Sequence, residues 1–308
     1  MSSRVMLKSG LEVFPLCLGG NVFGWTANQE ESFKVLDAFV EAGGNFIDTA
    51  DMYAEWAPGN VGGESETIIG NWMKARGNRH ELVIATKVAK LSKRPGLSAK
   101  NIDAALEESL NRLQTDHIDI YYAHEDDPTV EMSETLSTFD KHVKSGKIHI
   151  LGASNFTGAR LREAKKASIS NNLAQYQVIQ NQYNLVDRDV FESDAGIAAS
   201  ELALDSIPYY GIARGFLTGK YQPGKNVESA RAQGASTYFT DRGWASLAKV
   251  SEIAEKYNSS KAAVALAWLR AKDQTPIASA RTVEQLRELI QIIQLTSEEV
   301  ADLDLASA

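Results

Sequence analysis

The chain has 308 residues, a length that suits one large α/β barrel as well as two average domains. With 44% hydrophobic and 23% charged residues it has the composition of a folded globular protein, which excludes disorder. Thirty-two Lys and Arg against 40 Asp and Glu leave a net charge of −8, unfavourable for a phosphate backbone or an anionic bilayer, so neither nucleic acid nor membrane is an expected partner.

The elements follow in chain order. RVMLKSG and LEVFPL read as a hairpin turning at Ser9-Gly10. Eight short apolar runs then read as buried strands: LCLGG from about 16, NFIDTA from 45, LVIATKV from 82, HIDIYYAH from 117, KIHILGASN from 147, QVIQNQYN from 177, SIPYYGI from 206 and TPIASA from 275. Amphipathic helices are predicted at roughly 29–43, 63–75, 98–113, 131–145, 157–170, 189–200, 240–256, 260–271, 282–293 and 296–304.

The first six strand-to-strand intervals are 29 to 37 residues, the length of a βαβ unit. Eight such units without a break in composition predict a single-domain (β/α)₈ TIM barrel over 1–308, with the hairpin as a plug and extra helices late in the chain. The seventh interval is near 70 residues and holds an insertion, Gly219 to Thr240, plus two helices, so a long loop is expected at the mouth. No G-x-G-x-x-G follows a strand, which argues against an open dinucleotide-binding sheet.

Cys17 is the only cysteine, so no disulfide within the chain and no cysteine-based zinc cluster can form. The N-terminus lacks an export-signal core and no run of 18 apolar residues occurs, so a cytoplasmic protein is expected. The glycosylation-like triplets at Asn155 and Asn258 then carry no weight.

In a barrel, polar residues at the C-terminal ends of strands point into the mouth. Here these are Asp48, Lys87, His124, Ser154-Asn155 and Gln180, with Tyr53 five residues beyond Asp48. Each alone has a plain structural reading, as a turn-forming acid, a rim lysine or a packed tyrosine. Together they form an acid–base device. A phenol ionises near pKa ~10, so a cation beside it, Lys87, is expected to favour the phenolate, with Asp48 holding the cation. His124 would orient a substrate oxygen next to Tyr53. No G-x-S-x-G, H-E-x-x-H or G-K-[ST] occurs, so the attacking species is best supplied by a cofactor, and hydride suits a carbonyl acceptor. A Schiff-base role for Lys87 is the competing chemistry.

The segments GGNFIDTADMYA, GGESETIIGNWM, LVIATKV, IDIYYAH, GKIHILGASNF, IQNQYNL, GFLTGKY and IASARTVEQLREL, in this order, resemble the aldo-keto reductase family, in its bacterial, potassium-channel β-subunit-like branch. The resemblance implies a plugged (β/α)₈ barrel that binds NADPH/NADP+ without a Rossmann domain and reduces small-molecule aldehydes or ketones. Asp48, Tyr53, Lys87 and His124 match the catalytic tetrad, with Tyr53 as general acid. Ser154, Asn155 and Gln180 match the residues that hold the nicotinamide carboxamide, and Tyr209 the aromatic that stacks on its ring. Gly20, and the loop residues Gly215, Leu217, Gly219 and Lys220, match cofactor-binding positions. Arg281, with Ser279 and Gln285, matches the site for the adenosine 2′-phosphate. Trp25 and Trp56 are expected in the substrate pocket, and a monomer or weak homo-oligomer is expected.

The sequence departs from the family pattern where Tyr210-Gly211-Ile212 replaces Ser-Pro-Leu, where Ser279 replaces Gly and where Leu289 replaces Asn. The resemblance also leaves room for a cofactor-sensing regulatory subunit with little turnover.

Overall fold

A computed structural model describes residues 4–222 and 232–308; the middle of the predicted insertion, 223–231, lies outside the described residues. Strands β1 (Val5–Met6) and β2 (Glu12–Val13) pair antiparallel, and Gly10 at the turn has φ 91°, a conformation costly for any residue with a Cβ. The backbone N–H groups of Lys8 and Ser9 donate to Asp205, which ties the hairpin to the barrel wall.

The wall comprises β3 (Cys17–Gly19), β4 (Phe46–Asp48), β5 (Val83–Val88), β6 (Ile118–Ala123), β7 (Ile148–Ser154), β8 (Tyr176–Gln180), β9 (Asp205–Ser206) and β10 (Ile277–Ala278). Neighbours pair in parallel from β3 through β9, and β10 pairs with β3. The N–H groups of Thr275 and Ile277 donate to the carbonyls of Ser206 and Pro208, which joins β10 to β9 and closes the circle. The predicted (β/α)₈ barrel with its hairpin is what forms.

The strands alternate as a pleated backbone does, except at the starts of β6, β7 and β8, where Ile118, Ile148 and Tyr176 join the outer core. Cys17, Phe46, Val83, Ala85, Ile120, Tyr122, Ile150 and Val178 point into the barrel, where Leu7 and Val13 of the hairpin join them. Leu18, Ile47, Ile84, Tyr121, Leu151 and Ile179 point outward and pack beneath the helices. By the same parity Asp48, Lys87, Gly152 and Gln180 are inward positions, as is His124 just beyond β6. Gly152 is required there, because a Cβ would lie 2.2 Å from the Tyr122 ring.

The helices are α1 (Gln29–Glu41), α2 (Glu64–Arg76), α3 (Ala99–Leu113), α4 (Met132–Lys144), α5 (Gly158–Asn171), α6 (Gly196–Glu201), α7 (Ala232–Ala235), α8 (Asp241–Tyr257), α9 (Lys261–Ala271), α10 (Val283–Leu289) and α11 (Ser297–Ala306). Asn28, Ser98, Thr157, Thr240, Ser260, Thr282 and Thr296 cap α1, α3, α5, α8, α9, α10 and α11 through side-chain oxygens. No described helix is long and apolar enough to cross a membrane.

Two predicted helices differ from the observed ones. The segment 189–200 opens with a wide π turn, Phe191–Ala195, before α6. The segment 282–293 ends early as α10, because Ser260 competes for its last turn: the hydroxyl donates to the Glu288 carbonyl at 2.6 Å and the N–H donates to the Gln291 side chain at 2.7 Å. Strand β8 likewise stops at Gln180, and Pro208, which has no N–H, limits the ladder after β9.

Behind the mouth, Glu66 of α2 is buried and accepts from Thr86 of β5 and Arg112 of α3, both at 2.6 Å. Asp51, in the loop after β4, is buried near them, and neither of its carboxylate oxygens has a hydrogen-bond partner among the described residues. Burial, reinforced by the charge of Glu66, pushes its carboxyl up to about 8.

Because that is above the unfolded value of ~3.9, the protonated group's contribution to stability is intact below pH ~4 and is lost as pH rises through about 8. Asp51→Asn removes this titration. Its melting temperature is therefore expected to gain on the wild type between pH 5 and pH 8, and a difference independent of pH contradicts the assignment.

Candidate active site

Asp48 ends β4 and Lys87 is the last but one residue of the adjacent β5, and parity sends both into the barrel. There they form an ion pair at 2.7 Å, with side chains 2% and 0% exposed. The ammonium has three protons and all are used: Lys87 Nζ donates to Asp48 Oδ2 at 2.7 Å, to the Thr49 carbonyl at 2.7 Å and to the Tyr53 hydroxyl at 2.9 Å. The second oxygen of Asp48 accepts from Gln180 Nε2 at 2.9 Å. A buried ion pair is tolerated only when its remaining donors and acceptors are satisfied, and here they are.

The loop from Thr49 to Tyr53 is tied across to β5, with the Thr49 N–H donating to Ala85 and the Asp51 N–H to Lys87. This returns the Tyr53 hydroxyl over the pair, where it also donates to Asp48 Oδ2 at 3.3 Å. The His124 ring stands edge-on to Tyr53, with centroids 6.0 Å apart. Lys87 itself lies beneath the mouth and does not line it, whereas Asp48, Tyr53 and His124 do. With every Nζ proton engaged and no open approach, Lys87 is a buried ammonium and not a Schiff-base amine.

Burial pulls the Lys87 ammonium down from its ordinary value, opposed by Asp48. Burial, aided by Asp48, holds the Tyr53 phenol well above its ordinary value. The phenol is thus kept protonated, against the expectation that Lys87 would favour the phenolate: burial is the largest cause and the Asp48 carboxylate adds to it. Burial, with the Lys87 and Lys90 ammoniums, holds the His124 imidazole well below its ordinary range, so it is neutral at pH 7 and offers one N–H.

Two cavities make one groove over this floor. The first, of about 300 Å³, is lined by Asp48, Tyr53, His124, Ser154, Asn155, Gln180 and Tyr209, with Trp56 on the rim. The second, of about 370 Å³, is lined by Gly215, Gly219, Lys220, Ser279, Arg281 and Gln285. Ile212, Arg214 and Ser279 line both, so the groove is continuous.

Within it, Ser154 Oγ donates to the Gln180 carbonyl at 2.8 Å, Asn155 Nδ2 donates to the His124 carbonyl at 2.8 Å, and the Tyr209 hydroxyl donates to Asn155 Oδ1 at 2.7 Å. Gln285 accepts from the Arg281 N–H at 3.0 Å at the start of α10.

Three expected residues lie elsewhere. Leu217 is fully buried in the outer core, where it supports the loop from below. Gly20 sits behind the groove, its carbonyl accepting from Ser65; a Cβ there would lie 2.8 Å from Ser65 Oγ. Trp25 lines the second cavity and meets Trp56 edge-on at 5.6 Å, so it stands between the two ends of the groove.

Sequence reasoning missed Asn21, which accepts from Ser279 at 2.7 Å, and three cations. Lys90 lines the first cavity beside His124. Arg214 lies over the Tyr210 ring at 4.2 Å, with φ 55° directing it into the groove. Lys261 opens α9, and its Nζ lies 2.9 Å from where a Gly219 Cβ would be. The only sequence signal for Lys261 was its place at a helix start, which suits anions.

The groove's two ends differ in chemistry: a proton-holding phenol beside a neutral imidazole at one, and guanidinium and ammonium groups at a helix start at the other. Residues 15–308 match the Aldo/keto reductase family. The uncharacterized oxidoreductase YrpG of Bacillus subtilis is 34% identical over 300 residues, covering 94% of this chain and 90% of its own. Norsolorinic acid reductase stcV of Emericella nidulans is 31% identical over 319 residues, covering 96% of this chain and 79% of its own. A Saccharomyces cerevisiae protein with the provisional name aryl-alcohol dehydrogenase AAD14 is 32% identical over 332 residues, covering 98% and 85%. The chain therefore belongs to the aldo/keto reductase family of oxidoreductases, whose members generally use nicotinamide cofactors.

Proposed function

We propose that this chain is an NADPH-dependent oxidoreductase that reduces aldehydes or ketones to alcohols, with Tyr53 as general acid. The observation that carries the reading is the three-way donation from Lys87, which fixes a protonated phenol at the groove floor. The cationic end fits the cofactor: among the described residues no carboxylate pairs with Arg281 or Lys261, and both stand at helix starts. In this reading Arg281, Ser279 and Gln285 would hold the 2′-phosphate, Gly215, Gly219, Lys220, Arg214 and Lys261 the pyrophosphate, and Ser154, Asn155 and Gln180 the carboxamide, with Tyr209 against the ring.

When bound, the reduced cofactor supplies a hydride to the carbonyl carbon. His124, neutral, donates its N–H to the carbonyl oxygen and orients it beside Tyr53. Tyr53 Oη passes its proton to that oxygen as negative charge builds there. The phenolate left behind faces the Lys87 ammonium, so the cation acts on the product of proton transfer and not on the resting phenol. Asp48 keeps the ammonium charged, and Gln180 keeps Asp48 in place. In oxidation the proton moves the other way. Trp56 gives the substrate end an aromatic rim, which suits apolar or aromatic carbonyl compounds. The oxidoreductase names of the relatives support turnover over a purely cofactor-sensing role.

Tyr53→Phe is expected to lower kcat for reduction by about 10²–10⁴, the usual contribution of a general acid, while NADPH binding measured by fluorescence is kept. Turnover within tenfold of wild type rejects the assignment. Arg281→Met is expected to raise the KM for NADPH by about tenfold or more and leave that for NADH nearly unchanged, since a charge-assisted bond to phosphate contributes about 1.5–3 kcal/mol. Equal effects on both cofactors contradict the placement of the 2′-phosphate.

A further inference from the structure

At the opposite end of the barrel, two histidines and an aspartate converge at the starts of β6 and β7. Asp119 lies between the paired positions Ile118↔Ile148 and Ile120↔Ile150, which sets it beside His149 across the ladder, and His117 immediately precedes β6. One ligating atom from each of His117, Asp119 and His149 lies within 4.8 Å of the other two. Asp119 Oδ1 is 4.0 Å from His117 Nε2 and 3.6 Å from His149 Nδ1, in both cases too far for a hydrogen bond.

The surroundings decide which lone pairs are available. Asp119 Oδ2 is already engaged, accepting from Arg79 NH2 at 2.7 Å and from the Ile84 N–H at 2.8 Å, and this leaves Oδ1 facing the imidazoles. Arg79 is itself held by Thr115 and by the carbonyls of Leu82 and His117. His117 Nδ1 lies 2.6 Å from Asp116 Oδ1, a contact that places its proton on Nδ1 and leaves the Nε2 lone pair directed towards Asp119. A carboxylate behind a histidine, with the other ring nitrogen unprotonated, is the usual support of a metal-ligating imidazole. The Nε2 lone pair and Asp119 Oδ1, 4.0 Å apart, leave room for a cation between them.

We infer that His117, Asp119 and His149 form a binding site for a divalent transition-metal ion, separate from the catalytic groove. The two nitrogens and one carboxylate oxygen select a borderline ion such as Zn²⁺ or Co²⁺ over Mg²⁺ or Ca²⁺, which take oxygen ligands. Ligands at about 2.0–2.1 Å from a tetrahedral ion sit about 3.4 Å apart, so the two Asp119 contacts, at 3.6 and 4.0 Å, close by a few tenths of an ångström and the two imidazole nitrogens, within 4.8 Å of each other, draw in with them. The two rings now stack at 4.6 Å, so ligation turns the half-exposed His149 ring, and water takes the fourth position. The site is five residues down β6 from His124, roughly 16 Å at strand rise. It clips β6 to β7 at the face of the barrel that governs stability, not chemistry.

The test is titration of the metal-stripped full-length protein with CoCl₂ and ZnCl₂. One equivalent is expected to bind, with visible Co²⁺ absorption bands and a melting temperature raised by several degrees at saturating Zn²⁺. His149→Ala, at a half-exposed position, and His117→Gln should each weaken binding at least tenfold and erase the thermal shift, with circular dichroism unchanged. Absence of binding up to 1 mM overturns the proposal, as does equal affinity in wild type and both variants, which would put the ion elsewhere.

Discussion

The buried ion pair between Lys87 and Asp48 is the constraint on which the groove depends. Two charges withdrawn from water cost several kcal/mol each unless the geometry around them is nearly complete. Completion here takes Thr49, Tyr53 and Gln180, so the loop after β4 and the end of β8 are fixed by the needs of a pair located on β4 and β5. Tyr53 is held where it is because it satisfies the last ammonium proton. Its acidity follows from the same burial: the phenol keeps its proton until charge appears on a substrate, and only then does the cation beneath it act.

Much of this was legible in the sequence, because a parallel barrel strand carries its own coordinates. The end of each apolar run marks the mouth, and parity within the run marks the inside, so Asp48, Lys87, His124 and Gln180 could be placed from residue order. Parity fails for loops. Arg214 enters the groove through a positive φ and Lys90 by lying just past β5, while Lys261 of α9 is brought against Gly219 at the groove's edge. Leu217 and Gly20 were expected in the groove on resemblance, yet one packs below the loop and the other behind Asp48. The direction of the Tyr53 shift was also beyond the sequence, since it depends on how completely water is excluded.

The ends of the barrel divide the work. At the C-terminal ends of the strands, an acidic protein of net charge −8 gathers Arg214, Lys220 and Arg281 along one half of a groove, with Lys261 behind Gly219, a local reversal of sign suited to an anionic dinucleotide. At the other end, the hairpin plug is bound to Asp205, and Arg79 organises Asp119 among imidazoles. The same strands, β6 in particular, supply His124 to the one end and Asp119 to the other.

The most direct test of the central role of the ion pair is a double-mutant cycle on kcat/KM for NADPH-dependent aldehyde reduction, using Asp48→Asn, Lys87→Met and the combination, each checked for folding by circular dichroism. If the pair acts as one unit on Tyr53, the double variant loses about as much as Lys87→Met alone. Losses that multiply across the two substitutions would show that Asp48 and Lys87 act independently and would contradict the account.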